Sequence, residues 1–173
     1  MRTVCIYDKW SITGIISAAI AQLWYDIELE NKPMIQPYGV RYALHKEIIE
    51  LTKFAYEPNM RYPTDLSLYD RVIMLHTSFP ARDMHSIYHQ FGENFIWIDS
   101  HKCDIKSIRA YNKHNKFAGL QKPKYMCHEL TWKYFFPELP DIFSLDEWNK
   151  IKTVDEAYNK IVNIFDEQCN LNR

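Results

Sequence analysis

Apolar residues along the chain are grouped in short blocks that alternate with longer segments of helical spacing. Three blocks predict buried strands: residues 3–7 (TVCIY), 71–75 (RVIML) and 94–99 (NFIWID). The first block is followed by a loop containing Gly14 and by an apolar run over residues 15–28, which predicts a buried helix. Because strands alternate with helices, we expect a three-layer α/β fold with a mainly parallel sheet flanked by helices.

The segments between these blocks predict the remaining elements. Residues 33–38 are predicted to form a short strand, which two prolines would restrict to the edge of the sheet. Apolar positions at helical intervals predict a helix over residues 45–56. Further helices are expected over residues 80–91, 104–113, 127–136, 146–151 and 153–169. Thr153 and Glu156, at the start of the last helix, have the spacing of a capping box. The apolar stripe of this helix predicts that it packs on the protein's own core.

The length and composition favour one folded domain. The chain has 173 residues, of which 47% are hydrophobic and 15% aromatic, and these values are typical of globular proteins. We expect a single domain with a core over roughly residues 3–152 and a C-terminal helix over residues 153–170. The net charge of -1 offers no global attraction for a polyanion, so an extended nucleic-acid duplex is not an expected partner.

The cysteines and the apolar segments indicate the compartment. The four cysteines form no CxxC pair, which leaves a cysteine zinc site unsupported and favours free thiols in a reducing environment. The longest apolar stretch, residues 15–25, is too short to span a bilayer, and the N-terminus lacks a signal-like segment. We therefore expect a cytoplasmic protein that does not contact a membrane.

Three loops are the expected location of chemistry. In parallel α/β sheets, ligands bind at the carboxyl ends of the strands. This rule selects the loops over residues 8–14 (DKWSITG), 76–78 (HTS) and 99–101 (DSH). Each carries hydroxyl, imidazole or carboxylate side chains directly after a predicted buried strand.

In order and spacing, these loops resemble the motifs of the DHH phosphoesterases. In that family a strand ends in Tyr-His before Asp-x-Asp-Gly, a second strand ends in Asp, a third ends in Asp-His-His, and a later loop supplies another Asp. This chain has IYDKWSITGIISAAI, VIMLHTSFP and WIDSHKCDI, and then ELTWKYFFP followed by LDEW. The resemblance covers roughly residues 3–148 and implies a single DHH-domain-like fold. Compact relatives of this type are frequent in phages, which would place such a protein in the host cytoplasm.

The resemblance also implies where catalytic metals would bind, and the residues at those places differ. Family members hold two divalent ions, usually manganese. Hydroxyls replace three expected ligands at Ser11, Thr13 and Ser100, while Asp8 replaces a histidine and His76 replaces an aspartate. Neutral hydroxyls are poor ligands for Mn²⁺ and Mg²⁺. We therefore expect no metal cofactor and no two-metal hydrolysis.

Other positions of the motifs are retained. Asp99 and His101 stand where the third motif has its first and last residues, and Asp146 stands at the place of the last aspartate. With the hydroxyls, they imply a former active-site cleft in a pseudoenzyme that binds, and could sequester, a nucleotide or another phosphoester. The residues expected to line the ligand site are Ser11, Thr13, Gly14, His76, Thr77, Ser100, His101 and Lys102.

Two alternatives stay open. In the first, Asp8, His76 and Asp146 hold one Mn or Zn ion, and Asp99 and His101 are catalytic residues of a phosphodiesterase acting on short oligonucleotides or cyclic nucleotides. In the second, the cleft is vestigial and the protein is an interaction module with surface aromatics such as Trp10, Tyr111 or Trp148. Since only residues 149–173 follow the last motif, a second substrate-binding domain is not expected, and a homodimer could complete the cleft instead.

Overall fold

Four parallel strands form the centre of the protein in the computed structural model, which describes residues 1–30, 49–54, 65–139, 143 and 148–171. The strands are β1 (Thr3–Asp8), β2 (Ile49–Phe54), β3 (Arg71–Leu75) and β4 (Phe95–Ile98). Their order in the sheet is β2-β1-β3-β4. The register places Cys5 beside Leu51 on one side and beside Ile73 on the other. The expectation of an α/β fold with a parallel sheet is confirmed.

Helices follow the strands along the chain. The described helices are α1 (Ile12–Glu30), α2 (Ala81–Phe91), α3 (Lys102–Tyr111), α4 (Cys127–Phe135) and α5 (Val154–Leu171). Pro80 precedes α2, and Gly92 ends it with a positive φ of 55°. None of the described helices is long and apolar enough to cross a membrane.

Two buried clusters on opposite faces of the sheet give the fold its three layers. Cys5 and Tyr7 of β1 belong to a cluster with residues of α1, α4 and α5. Val4 and Ile6, one position along, belong to a second cluster with residues of α2 and α3. Successive side chains of a strand point to opposite faces, so a strand buried on both sides must be a continuous apolar run. This explains the apolar blocks of the sequence.

The prediction of a helix over residues 45–56 is wrong, because residues 49–54 form β2 and pair in parallel with β1. The segment reads IELTKF, in which Ile49 and Leu51 also fit a period of two. A short segment can satisfy both periods, and pairing with a neighbouring strand then overrides local propensity. The strand expected over residues 33–38 lies outside the described residues, as do residues 146–147 of the short helix expected over residues 146–151.

The capping residues of α5 act almost as expected. The Thr153 Oγ1 atom accepts a hydrogen bond from the Glu156 backbone N–H at 3.2 Å. The Glu156 carboxylate accepts from the backbone N–H of Lys152 at 2.8 Å, one residue before the expected donor. Both bonds satisfy amides at a helix start that have no partner within the helix.

Trp148, considered above as a surface aromatic, is 1% exposed and is therefore part of the core.

Candidate functional site

The sheet order brings the three candidate loops to one edge. β1 lies directly beside β3 although β2 separates them in sequence, and β3 lies beside β4. The chain leaves β1 toward α1 and leaves β3 toward α2 on the other face of the sheet. Ligands of such sheets bind where neighbouring strands send their connections to opposite faces, at the carboxyl ends. That point is the boundary between β1 and β3.

A cleft of about 490 Å³ opens at this boundary. It is lined by the loop after β1, by the loop after β3 with the start of α2, and by the first turns of α3. The lining residues are Asp8, Trp10, His76, Thr77, Ser78, Phe79, Pro80, Ala81, His101, Asp104, Ser107 and Ile108. Of the residues predicted to bind the ligand, His76, Thr77 and His101 are among them.

The other predicted ligand residues lie close by but do not line the cleft. Ser11 and Thr13 accept hydrogen bonds through their carbonyls, from the Ile15 N–H at 3.0 Å and the Ser17 hydroxyl at 2.7 Å respectively. Ser100 donates its N–H to Asp99, and Lys102 is an exposed residue at the start of α3. Asp146 lies outside the described residues.

Gly14 has a packing role at this edge. Helix α1 begins at Ile12, two residues before Gly14, and passes so close to the end of β1 that a Cβ at Gly14 would lie 2.3 Å from the Asp8 carbonyl oxygen. Only glycine permits this approach of helix and strand. The glycine therefore sets the geometry of the loop that carries Asp8 and Trp10.

His76 has an unusual backbone. Its φ of 55° lies in the left-handed region, and its N–H donates to the Ile98 carbonyl at 3.0 Å, which ties the β3 loop to β4. Residues other than glycine adopt this region uncommonly, and such residues cluster at functional sites. Burial lowers the pKa of His76, and the neighbouring His101 lowers it further. Both effects favour the neutral form of the His76 imidazole.

Asp99 organises the loop after β4. Its side chain is fully buried, and Oδ1 accepts from the N–H groups of Ser100 at 2.7 Å and His101 at 3.2 Å. The same oxygen lies 2.8 Å from Nδ1 of His101. This hydrogen bond raises the pKa of His101. The second oxygen, Oδ2, has no hydrogen-bond partner among the described residues.

Two imidazoles lie together above Asp99. The rings of His76 and His101 are stacked with centroids 4.3 Å apart and planes inclined by 30°. His76 is half-buried and its Nδ1 atom, like Asp99 Oδ2, has no hydrogen-bond partner among the described residues. The 44% exposed His101 side chain faces the cleft. The site combines one imidazole whose pKa is lowered with one whose pKa is raised.

Sequence reasoning missed two contributors to this region. Asp104 lines the cleft from the first turn of α3, three residues after His101, a spacing that brings side chains together on a helix. His128 is only 2% exposed on α4, and burial, with a smaller effect of His76, lowers its pKa to about 4. No local pattern distinguished it from a surface histidine.

The described residues do not fit a pair of manganese ions. Such a pair needs several anionic oxygens, including one that bridges the ions. Asp99 has one oxygen engaged by three donors, and the β3 position carries the imidazole of His76, which offers no anionic oxygen.

Comparison of the chain with models of protein families, with curated proteins and with solved structures finds no match.

Proposed function

We propose that the protein binds a nucleotide or another phosphate-containing ligand in this cleft and holds it without two-metal hydrolysis. The observation that carries the proposal is the convergence of helix starts and imidazoles on one cleft. Pro80 and Ala81 at the start of α2 line it, as do His101 and Asp104 at the start of α3.

The electrostatics of these elements suit a phosphate. Helix N-termini carry partial positive charge and backbone N–H groups that bind anions. The hydrogen bond with Asp99 raises the pKa of His101 and so favours its cationic form, and Thr77 and Ser78 add hydroxyl donors to the lining of the cleft.

The carboxylates of the cleft limit the charge of the ligand. Asp8 and Asp104 line it, and the described lining residues include neither lysine nor arginine. Repulsion from these carboxylates disfavours a ligand with several negative charges on one group. We therefore expect phosphodiesters, with one charge per phosphate, to bind better than a nucleoside triphosphate.

An aromatic side chain at the rim favours a nucleotide over inorganic phosphate. Trp10 lines the cleft, although 78% of it is exposed, and the Lys9 ammonium lies 4.7 Å from its ring centroid. The backbone N–H of Trp10 donates to the Asp8 carboxylate at 2.9 Å, which orients the loop. Exposed aromatic rings beside phosphate sites are stacking platforms for bases.

Calorimetric titration with cyclic dinucleotides, pApA, mononucleotides and inorganic phosphate, in buffer containing EDTA, tests the proposal. Trp10→Ala should weaken nucleotide binding by about 1–3 kcal/mol, the range for one stacked base, without changing phosphate binding. Trp10→Phe should keep most of the affinity. Tyr111→Ala removes an aromatic that is 56% exposed and does not line the cleft, so it should leave binding unchanged.

Three results would contradict the proposal. The first is that no nucleotide of the panel binds. The second is that Tyr111→Ala weakens binding as much as Trp10→Ala. The third is manganese-dependent turnover of a phosphodiester that Asp146→Ala abolishes, which would overturn the non-catalytic part.

A further inference from the structure

We propose that His76, Asp99 and His101 bind one divalent transition-metal ion of the zinc type. This site goes beyond the ligand-binding proposal and does not depend on it, since metal binding can be measured without a nucleotide. The sequence predicted no metal cofactor, and the site also differs from the alternative set Asp8, His76 and Asp146, with which it shares only His76.

The positions of the three side chains are the first support. Each offers one ligand atom, and these atoms all lie within 4.8 Å of one another. Four-coordinate zinc, with bonds of about 2.0–2.1 Å to nitrogen and oxygen, holds its ligand atoms about 3.3 Å apart. Small side-chain rotations would close the remaining gap, since the rings of His76 and His101 are already stacked with centroids 4.3 Å apart.

Unpartnered atoms in this cluster are the second support. Asp99 is fully buried, and its Oδ2 atom has no hydrogen-bond partner among the residues described. The buried Nδ1 atom of His76 likewise has none within the described part of the chain. A buried polar atom without a partner is costly, and for a carboxylate the cost is larger. A cation between the imidazoles and the carboxylate would supply a partner.

The carboxylate is also held in place before any ion binds. The N–H groups of Ser100 and His101 and the Nδ1 atom of His101 all contact Oδ1 of Asp99. Such contacts orient metal ligands and reduce what must be ordered on binding. The cluster is therefore preorganised around its one free carboxylate oxygen.

The chemistry of the donors selects the kind of ion. Two imidazole nitrogens and one carboxylate oxygen suit zinc and similar borderline ions, whereas magnesium and manganese prefer more oxygen ligands. His76 and His101 both line the cleft, so the ion would face it. Three protein ligands leave a fourth position for water or a ligand oxygen.

The test is calorimetric titration of the full chain with Zn²⁺, after removal of metal with EDTA and exchange into chelator-free buffer without nucleotide. We expect one ion per chain. His76→Asn, Asp99→Asn and His101→Gln should each weaken binding by at least about 10–100-fold, the effect known for residues that only support a ligand. Asparagine at position 76 tolerates the positive φ, and asparagine at position 99 keeps an oxygen for the backbone donors.

Matched histidine variants are the controls. His114→Gln removes an exposed loop histidine, and His89→Gln disrupts the His85–His89 pair on α2, whose ring centroids lie 4.3 Å apart. Both should keep wild-type affinity for Zn²⁺. In the unmodified protein, Zn²⁺ should shift the imidazole NMR signals of His76 and His101 and leave those of His114 unchanged, a readout that does not depend on a variant folding.

Absence of stoichiometric Zn²⁺ binding would overturn the inference. So would binding that persists in His76→Asn and His101→Gln, or binding that is lost in His89→Gln. If Zn²⁺ binds and no nucleotide does, the metal site stands and the proposed function fails. If a nucleotide binds in EDTA and the protein binds no Zn²⁺, the proposed function stands and the metal site fails.

Discussion

Gly14 allows helix α1 to pack closely against the end of strand β1. The absence of a side chain allows the start of α1 to approach the Asp8 carbonyl, and Asp8 in turn orients Trp10. The sequence predicted that Gly14 borders an anion site, and the structure adds a steric reason for glycine at this position. The same approach helps to set where Trp10 stands at the rim of the cleft.

Gly14→Ala should destabilise the protein by about 3 kcal/mol, the upper end of the range for overpacking. The reason is the 2.3 Å distance between a Cβ at this position and the Asp8 carbonyl oxygen, which only a backbone shift can relieve. Urea unfolding of both proteins measures the loss. A Gly14→Ala variant as stable as the wild type would contradict the steric explanation.

His128 should make stability depend on pH. Its pKa is lowered from the usual 6.5 to about 4 by burial, so below pH 6.5 the unfolded chain binds a proton that the folded protein does not. Stability should therefore be constant above pH 6.5 with respect to this group and should fall as the pH decreases toward 4. Each pKa unit is worth about 1.4 kcal/mol, which gives an effect on the order of 3 kcal/mol.

His128→Gln removes this titration and should flatten the decrease in unfolding free energy between pH 7 and 4. Urea unfolding at several pH values measures the difference between the two slopes. His114→Gln, at an exposed position, should keep the wild-type slope. A His128→Gln variant with an unchanged slope would show that folding does not lower the pKa of His128.

At the scale of elements, the prediction was most accurate for segments in which the spacing of apolar residues fits only one type of secondary structure. β1, β3 and β4 are continuous apolar runs, and α1 is a long apolar run, so each has one satisfactory interpretation. The segment of β2 is short and fits two periods, and only its pairing with β1 decides between them. Tertiary contacts commonly override weak local preference in such segments.

The N-terminal cap of α5 should be worth about 1 kcal/mol. Thr153→Ala removes the oxygen that accepts from the Glu156 N–H, which leaves that amide without its side-chain partner. Urea unfolding should show this loss, and Thr153→Ser should restore most of it. Ser86→Ala, which removes an exposed hydroxyl that bonds within α2, is the control and should change stability little. A Thr153→Ala variant as stable as the wild type would show that the cap does not contribute.

At the scale of the whole molecule, the site results from the order of the strands. Two helical layers pack against the sheet from opposite faces, and the chain changes face between β1 and β3. The cleft forms there because the loops after these strands diverge. Nucleotide binding, the DHH resemblance and dimerisation stay predictions.

The sequence by itself determined the class of the fold, most of its elements and the three loops at which chemistry is expected. These depend on local information, because strand and helix periods and the residue types that follow each strand can be read along the chain. Only the tertiary structure decided that residues 49–54 pair with β1, that Gly14 contacts Asp8, and that His76 stacks on His101 above a buried Asp99. The strand pairing and the imidazole stack join segments distant in sequence, and the approach of Gly14 to Asp8 depends on how α1 packs against the end of β1, so no local pattern specifies them.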